Sequence, residues 1–99
     1  MSERLILSQF AGRTDEVFRV RLPDDAGVLD MHLVRADALP SQEGPGREDP
    51  FVLEFRGPST PALQQGTWRF EHENLDAMDI FVVPVGPDED GLCYEAVFN

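Results

Sequence analysis

Short runs of alternating apolar and polar residues, separated by turns rich in glycine, proline and aspartate, fill the chain from Phe51 to Asn99. Alternation with a period of two is typical of a β-strand that buries one face. Proline and glycine recur too often for any helix much longer than about ten residues. The pattern therefore predicts a fold made of strands.

The first half of the chain predicts a β-hairpin. Phe18, Val20 and Leu22 share one face of a run from Glu16 to Leu22. A second run begins at Val28 and places Leu29, Met31 and Leu33 on one face. The intervening Pro23–Gly27 segment has turn chemistry, because proline lacks a ladder donor and glycine accepts a positive φ.

The second half predicts four more strands, over 51–56, Thr67–His72, Asp79–Val85 and Leu92–Phe98. The third of these is almost continuously apolar, which is typical of a strand buried on both faces. Pro84 interrupts its ladder and predicts an edge or a bulge there. A turn is expected from Asn74 to Ala77 and another from Pro87 to Gly91.

We therefore expect an all-β fold, a small antiparallel barrel, roll or sandwich of about six strands. Residues 1–99 are long enough for a single domain with its own core. The segment Leu5–Ala11 is expected to form a short N-terminal helix or an irregular lead-in, with Leu5, Ile6, Leu7 and Phe10 covering one end of the core. Residues 36–50 show no periodic face and predict a mobile loop.

The net charge of the chain indicates which classes of molecule it does not bind. Nineteen acidic against eight basic residues give a formal charge of −11. Such a surface repels phosphate backbones and anionic lipids, so we expect neither nucleic-acid nor membrane binding. A single cysteine excludes an internal disulfide, and the first residues lack a signal-peptide core. We expect a cytoplasmic protein, unless it is exported as part of an assembly.

No residue set predicts a metal or cofactor site. Asp88-Glu89-Asp90-Gly91 suggests calcium, but an EF-hand loop in this register would need ligands at Gly86 and Val97. Aspartate before glycine between apolar runs is primarily a hairpin turn signal. Zinc would require His32, His72 and Cys93 to meet with a further donor, and nothing in the predicted register requires that.

Candidates for catalysis are equally weak. The available nucleophiles are Cys93, Ser2, Ser8, Ser41 and Ser59, and none stands in a nucleophile-elbow motif or beside a base motif. We therefore predict no catalytic residues and no enzyme activity.

Arginines occupy outward strand positions: Arg19, Arg21, Arg56 and Arg69. Outward glutamates are Glu54, Glu71 and Glu95. Cross-strand ion pairs between the two sets are the simpler expectation. The alternative is an arginine-bearing face that docks an acidic partner.

The second half contains four distinctive blocks: FVLEFRGP at 51–58, QGTWRFEH at 65–72, IFVVPVG at 80–86 and YEAVFN at 94–99. These blocks resemble those of a family of small uncharacterised bacterial domains. The resemblance covers about half of the chain. It implies a gene near phage-tail-like collar or fibre proteins, and thus an accessory role in a tail-derived or cell-surface assembly. It implies no catalytic residue.

The leading hypothesis is a non-enzymatic structural or protein-interaction module. Its contacts would use the 36–50 loop and any unpaired strand edge, through which it would bind another protein or form a homo-oligomer. The alternative is a small-molecule-binding β-barrel or a hydrolase, with a cavity lined by Trp68, Tyr94 and His72.

Overall fold

The computed structural model describes residues 7–39, 50–60 and 62–98. Six strands form one closed antiparallel barrel with the order β1-β2-β3-β6-β5-β4. The strands are β1 (Val17–Arg21), β2 (Val28–Ala38), β3 (Phe51–Gly57), β4 (Gly66–His72), β5 (Leu75–Asp88) and β6 (Gly91–Phe98). The all-β prediction is confirmed, and among the alternatives it is the barrel that forms.

The predicted hairpin joins β1 and β2. Phe18 lies opposite Met31 and Val20 opposite Leu29, so the apolar sets of both strands face the interior. The turn between them contains a short 3-10 segment, Pro23–Asp25. A seam between β1 and β4, with Val20 opposite Phe70, closes the barrel.

The N-terminal lead-in is a single 3-10 turn over Leu7–Gln9, and the helix prediction holds only to that extent. Phe10 is fully buried, and its ring lies 6.1 Å from those of Phe18 and Phe51. Leu7 packs on the same core. These two residues cover one end of the barrel as expected, whereas Leu5 and Ile6 lie outside the described residues.

The predicted turn at Asn74–Ala77 is wrong, because the chain turns at Glu73 and Asn74 and β5 already begins at Leu75. The prediction that this strand is buried on both faces is also wrong. Ile80 and Val82 are fully buried, but Phe81 between them is 51% exposed. A barrel of one sheet has a single interior, so alternate residues of β5 point away from it.

The irregularity predicted at Pro84 is confirmed as a register shift between Pro84 and Gly86. At the start of the predicted mobile loop, Ala36–Ala38 belong to β2. Residues 40–49 lie outside the described residues, so the mobility of the loop stays a prediction. In the parts of the chain that are described, no helix is long and apolar enough to cross a membrane.

Candidate functional site

The interior of the barrel is filled with side chains. Its largest fully buried residues are Tyr94, Phe10, Phe18, Phe51, Phe55, Phe70, Met31, Leu33, Leu53, Ile80, Val20 and Val82. No aspartate, glutamate or arginine is buried among the residues whose burial the structure describes. The Tyr94 hydroxyl accepts a 2.8 Å hydrogen bond from the backbone N–H of Leu63, which satisfies the polar end of an otherwise apolar core residue.

The cavity that a ligand-binding barrel would need is not formed by the three residues proposed for it. Tyr94 is fully buried in the core. Trp68 is half-buried, and its indole N–H donates to the carbonyl oxygen of Gln64 at 3.0 Å. The side chain of His72 is 3% exposed and contacts β1 and the residues before it. Each polar group already has a partner within the chain.

The His72 imidazole is held on both ring nitrogens. The backbone N–H of Asn74 donates to Nδ1 at 3.0 Å, and Nε2 lies 2.7 Å from Oε1 of Glu16. Because Nδ1 accepts, the ring proton sits on Nε2 and is donated to the carboxylate. A histidine that acts as a general base needs one nitrogen free for the substrate or nucleophile, and here neither is free.

Glu16 is shared between two partners, His72 and Arg13. The Nη1 atom of Arg13 lies 3.2 Å from Oε1 of Glu16. The hydrogen bond from His72, followed by the bond and charge of Arg13, lowers the pKa of the Glu16 carboxyl. This cluster fastens the segment before β1 to the end of β4, which is a structural role.

A second cluster joins the ends of β3, β5 and β6. The Asp88 carboxylate accepts from Arg56, with Nη2 at 2.8 Å and Nε at 2.9 Å, and from the backbone N–H of Asp90 at 2.8 Å. The Arg56 bond is the largest cause that lowers the pKa of Asp88 to about 2, and the Asp90 N–H adds to it. This acidic turn is therefore a hairpin closed by an ion pair, as the turn chemistry predicts.

Cys93 is a poor nucleophile in this cluster. Its thiol is buried and donates to Asp88 Oδ2 at 3.3 Å. Burial, and then the neighbouring carboxylate, raise the pKa of the Cys93 thiol. The reactive thiolate is disfavoured for both reasons.

The three residues considered for zinc do not meet. His32 and Cys93 lie on either side of Arg56 on the outer face of the sheet. His72 is on β4 against Phe18. Within the described ranges, no three histidine, cysteine or acidic side chains form a group that could hold a metal ion. Of the serines, Ser8 and Ser59 are exposed, and Ser2 and Ser41 lie outside the described residues.

The four outward arginines all form ion pairs, but only Arg21–Glu71 joins the two sets named from the sequence. Arg19, Arg56 and Arg69 pair with aspartates instead. Arg21 contacts Glu71 through two nitrogens, at 3.1 and 3.4 Å. Each of the six described arginines lies within 4.0 Å of a carboxylate; the pairs are Arg13–Glu16, Arg19–Asp30, Arg21–Glu71, Arg35–Asp37, Arg35–Glu54, Arg56–Asp88 and Arg69–Asp79. The described surface therefore offers no free arginine face to an acidic partner.

One apolar surface of the barrel is not predicted by the sequence pattern. Phe81 and Val97 are 51% and 50% exposed on neighbouring strands, and Val83 lies half-buried beside them. Val83 is paired with Glu95. The apolar run from Ile80 to Val83 was the available signal, but it predicts a covered strand just as well as one with an uncovered apolar outer face.

A family model described as a domain of unknown function (DUF6916) matches residues 5–98. No curated protein and no solved structure matches the chain.

Proposed function

Since the chain belongs to the DUF6916 family of domains of unknown function, we propose from its own geometry that it is a non-enzymatic module that binds another protein. The observation that carries the proposal is the filled barrel. Twelve large side chains occupy its interior, so the surface is what remains for binding. A small-molecule site inside the barrel would need a free volume with convergent polar groups, and the buried side chains occupy that space.

The clusters on the surface support the same proposal. Both ring nitrogens of His72 are occupied, and the Cys93 thiol is buried with a raised pKa. The described arginines are neutralised by carboxylates of the same chain. These groups stabilise turns and strand ends, and none is poised to react.

A second part of the proposal concerns the biological setting of the protein. The resemblance of the four sequence blocks to small bacterial domains encoded near collar and fibre proteins supports a partner in a phage-tail-like or surface assembly. We propose a cytoplasmic location before any such assembly forms. The strand-edge route to a homo-oligomer has little geometric support, because β1 and β4 pair and close the sheet.

Co-purification tests this proposal. The tagged full chain is expressed in its native host and isolated at modest salt, beside a Phe70→Asp variant whose core is disrupted. Proteins retained by both are discarded. We expect a stoichiometric partner on the folded chain alone; recovery of free monomer, with nothing specific bound, contradicts the proposal.

A thermal-shift screen addresses the alternative, a small-molecule-binding barrel or hydrolase. Metabolites and divalent metals are added to the full chain, and the melting temperature is followed against concentration. A ligand that binds only the folded state raises the melting temperature in a saturable manner. We expect no such shift, and a specific one would favour the alternative.

A further inference from the structure

We propose that the β5–β6 face, defined by the outward residues Phe81, Val83, Glu95 and Val97, docks a protein segment whose apolar side chains are flanked by arginine or lysine. This inference rests on the proposed function and deepens it by naming the surface and the chemistry of the partner. It follows from how the barrel arranges these residues.

Strand register makes the apolar part of the face continuous. Thr67 lies opposite Phe81, and Val83 lies opposite Glu95. Extending the β5–β6 pairing by two residues from Val83 and Glu95 places Phe81 across from Val97. Val97 in turn pairs with Val52 on β3. An apolar row thus runs outward-facing over β5, β6 and β3.

Val85 and Val28 are also exposed, but in this row two exposed apolar residues, Phe81 and Val97, lie side by side. Single apolar side chains scattered over a surface are normal, whereas contiguous apolar patches with polar rims mark interaction sites. Phe81 and Val97 are each about half exposed, and Val52 beside them is already buried at 4%. The ring of Phe81 points outward and adds nothing to the core. The core residues of this part of β5 are its neighbours Ile80 and Val82.

The charged residues around the apolar row indicate the chemistry of the partner. The Arg69–Asp79 pair borders the row on one side, and Arg35 with Glu54 and Asp37 borders it on the other. With Glu95, four carboxylates face two guanidinium groups. Within the described ranges no cation pairs with Glu95. The face is therefore apolar at its centre and net negative at its rim, which complements apolar residues flanked by positive charge.

A second copy of the chain fits this face poorly. A two-fold dimer would bring the same patch onto itself and set Glu95 and its neighbouring carboxylates against their own copies. The formal charge of −11 opposes self-association over the rest of the surface as well.

Photo-crosslinking of the full chain in its native host tests the inference. The photoreactive amino acid p-benzoylphenylalanine replaces Phe81 in one variant and Val28 in the other. Val28 is the matched control, since it is 45% exposed on the outer face of β2. We expect an adduct from position 81 but not from position 28, and the crosslinked peptide, mapped by mass spectrometry, to carry apolar residues next to arginine or lysine.

Other outcomes separate the two proposals. An adduct from position 28 alone, or equally from both, overturns the β5–β6 face and leaves a protein-binding function standing. An adduct from position 81 to an acidic segment, or to a second copy of the chain, overturns the proposed partner chemistry. No adduct at either position contradicts the protein-binding function as well.

A synthetic peptide with the mapped sequence then measures the charge contribution. We expect Glu95→Arg to weaken its binding at least tenfold and Glu95→Gln to weaken it less, with melting temperatures recorded for both. Glu89→Arg, in the exposed β5–β6 turn, is the matched control and should change affinity less than twofold. Equal losses for Glu95→Arg and Glu89→Arg would show a general charge effect and overturn the role of Glu95.

Discussion

Gly91 begins β6 beside Gly57, the last residue of β3. Its φ is +148°, a conformation that side-chain-bearing residues rarely adopt. A Cβ atom there would collide with the carbonyl oxygen of Gly57. The position therefore requires glycine both for its backbone angle and for the space it leaves.

Replacing this glycine should destabilise the barrel strongly. Gly91→Ala is expected to lower the free energy of unfolding by about 1–3 kcal/mol from backbone strain, with a further loss of about 1–3 kcal/mol from the collision. Gly86→Ala is the control, because its φ of +133° is also unfavourable but nothing lies within 4 Å of the added Cβ. In urea unfolding, equal losses for the two variants would contradict the close approach at Gly91.

The ion pair of Asp88 makes the stability of the barrel depend on pH. Its folded-state pKa of about 2 lies below the ordinary value of 3.8, chiefly because Arg56 donates to the carboxylate. A lowered folded-state pKa stabilises the fold at pH values above the unfolded pKa, and this contribution is lost as the pH falls through the folded pKa. Asp88 should therefore lose its effect between about pH 4 and pH 2.

The comparison of wild type with Asp88→Asn measures this loss. We expect the wild type to be the more stable at neutral pH and the difference in unfolding free energy to shrink steadily as the pH falls from 4 to 2. Glu89→Gln serves as the control, since this exposed neighbour makes no ion pair in the described residues. A difference that stays constant down to pH 2 would contradict the Arg56–Asp88 assignment.

Single residues were predictable where local pattern determines their direction. Alternation placed the arginines outward, and the opposing carboxylates made ion pairs the simpler expectation. The contact between His72 and Glu16 was not predictable, because it spans 56 residues and depends on the seam that closes the barrel. Hydrogen bonds of this kind follow from topology, which a period-two pattern does not specify.

At the scale of elements, β5 shows how an apolar run can mislead. Four consecutive apolar residues are typical of a strand covered on both sides, as in parallel sheets under helices. In a closed single sheet the same run must present alternate residues to solvent. The number of strands and their approximate positions were predictable from the sequence. That the outer face of β5 is exposed could be recognised only once the order of the strands in the barrel was known.

The last strand is held in part by one aromatic stack. Phe98 lies opposite Phe51, and the two rings are 4.5 Å apart at an angle of 10°. Loss of a fully buried phenylalanine costs about 3–5 kcal/mol, and Phe98 is only partly buried. We expect Phe98→Ala to cost about 1–3 kcal/mol in urea unfolding.

Val97→Ala is the matched control for this prediction, because Val97 faces outward on the same strand and is half exposed. Its substitution should stay within about 0.5 kcal/mol of wild type. A Phe98→Ala protein that unfolds at the same urea concentration as Val97→Ala would show that the end of β6 contributes little to the barrel.

At the scale of the whole molecule, the barrel divides its residues into two sets. The inward set fills the interior, and the outward arginines are paired with carboxylates of the same chain. Among the described residues, the surface that we propose for recognition is the apolar row on β5 and β6 with its negative rim. Recognition through this surface therefore depends on β5 having one face in the core and the other free.

Urea unfolding of Ile80→Ala and Phe81→Ala tests that claim most directly, since the two residues are adjacent on β5 and point to opposite sides of the sheet. We expect a loss of about 2–5 kcal/mol in unfolding free energy for Ile80→Ala, because Ile80 is fully buried. For Phe81→Ala we expect a loss of about 1 kcal/mol or less, because Phe81 is 51% exposed beside Thr67. Losses of similar size for both variants would mean that the outer face is covered within the chain, and would contradict its role in binding.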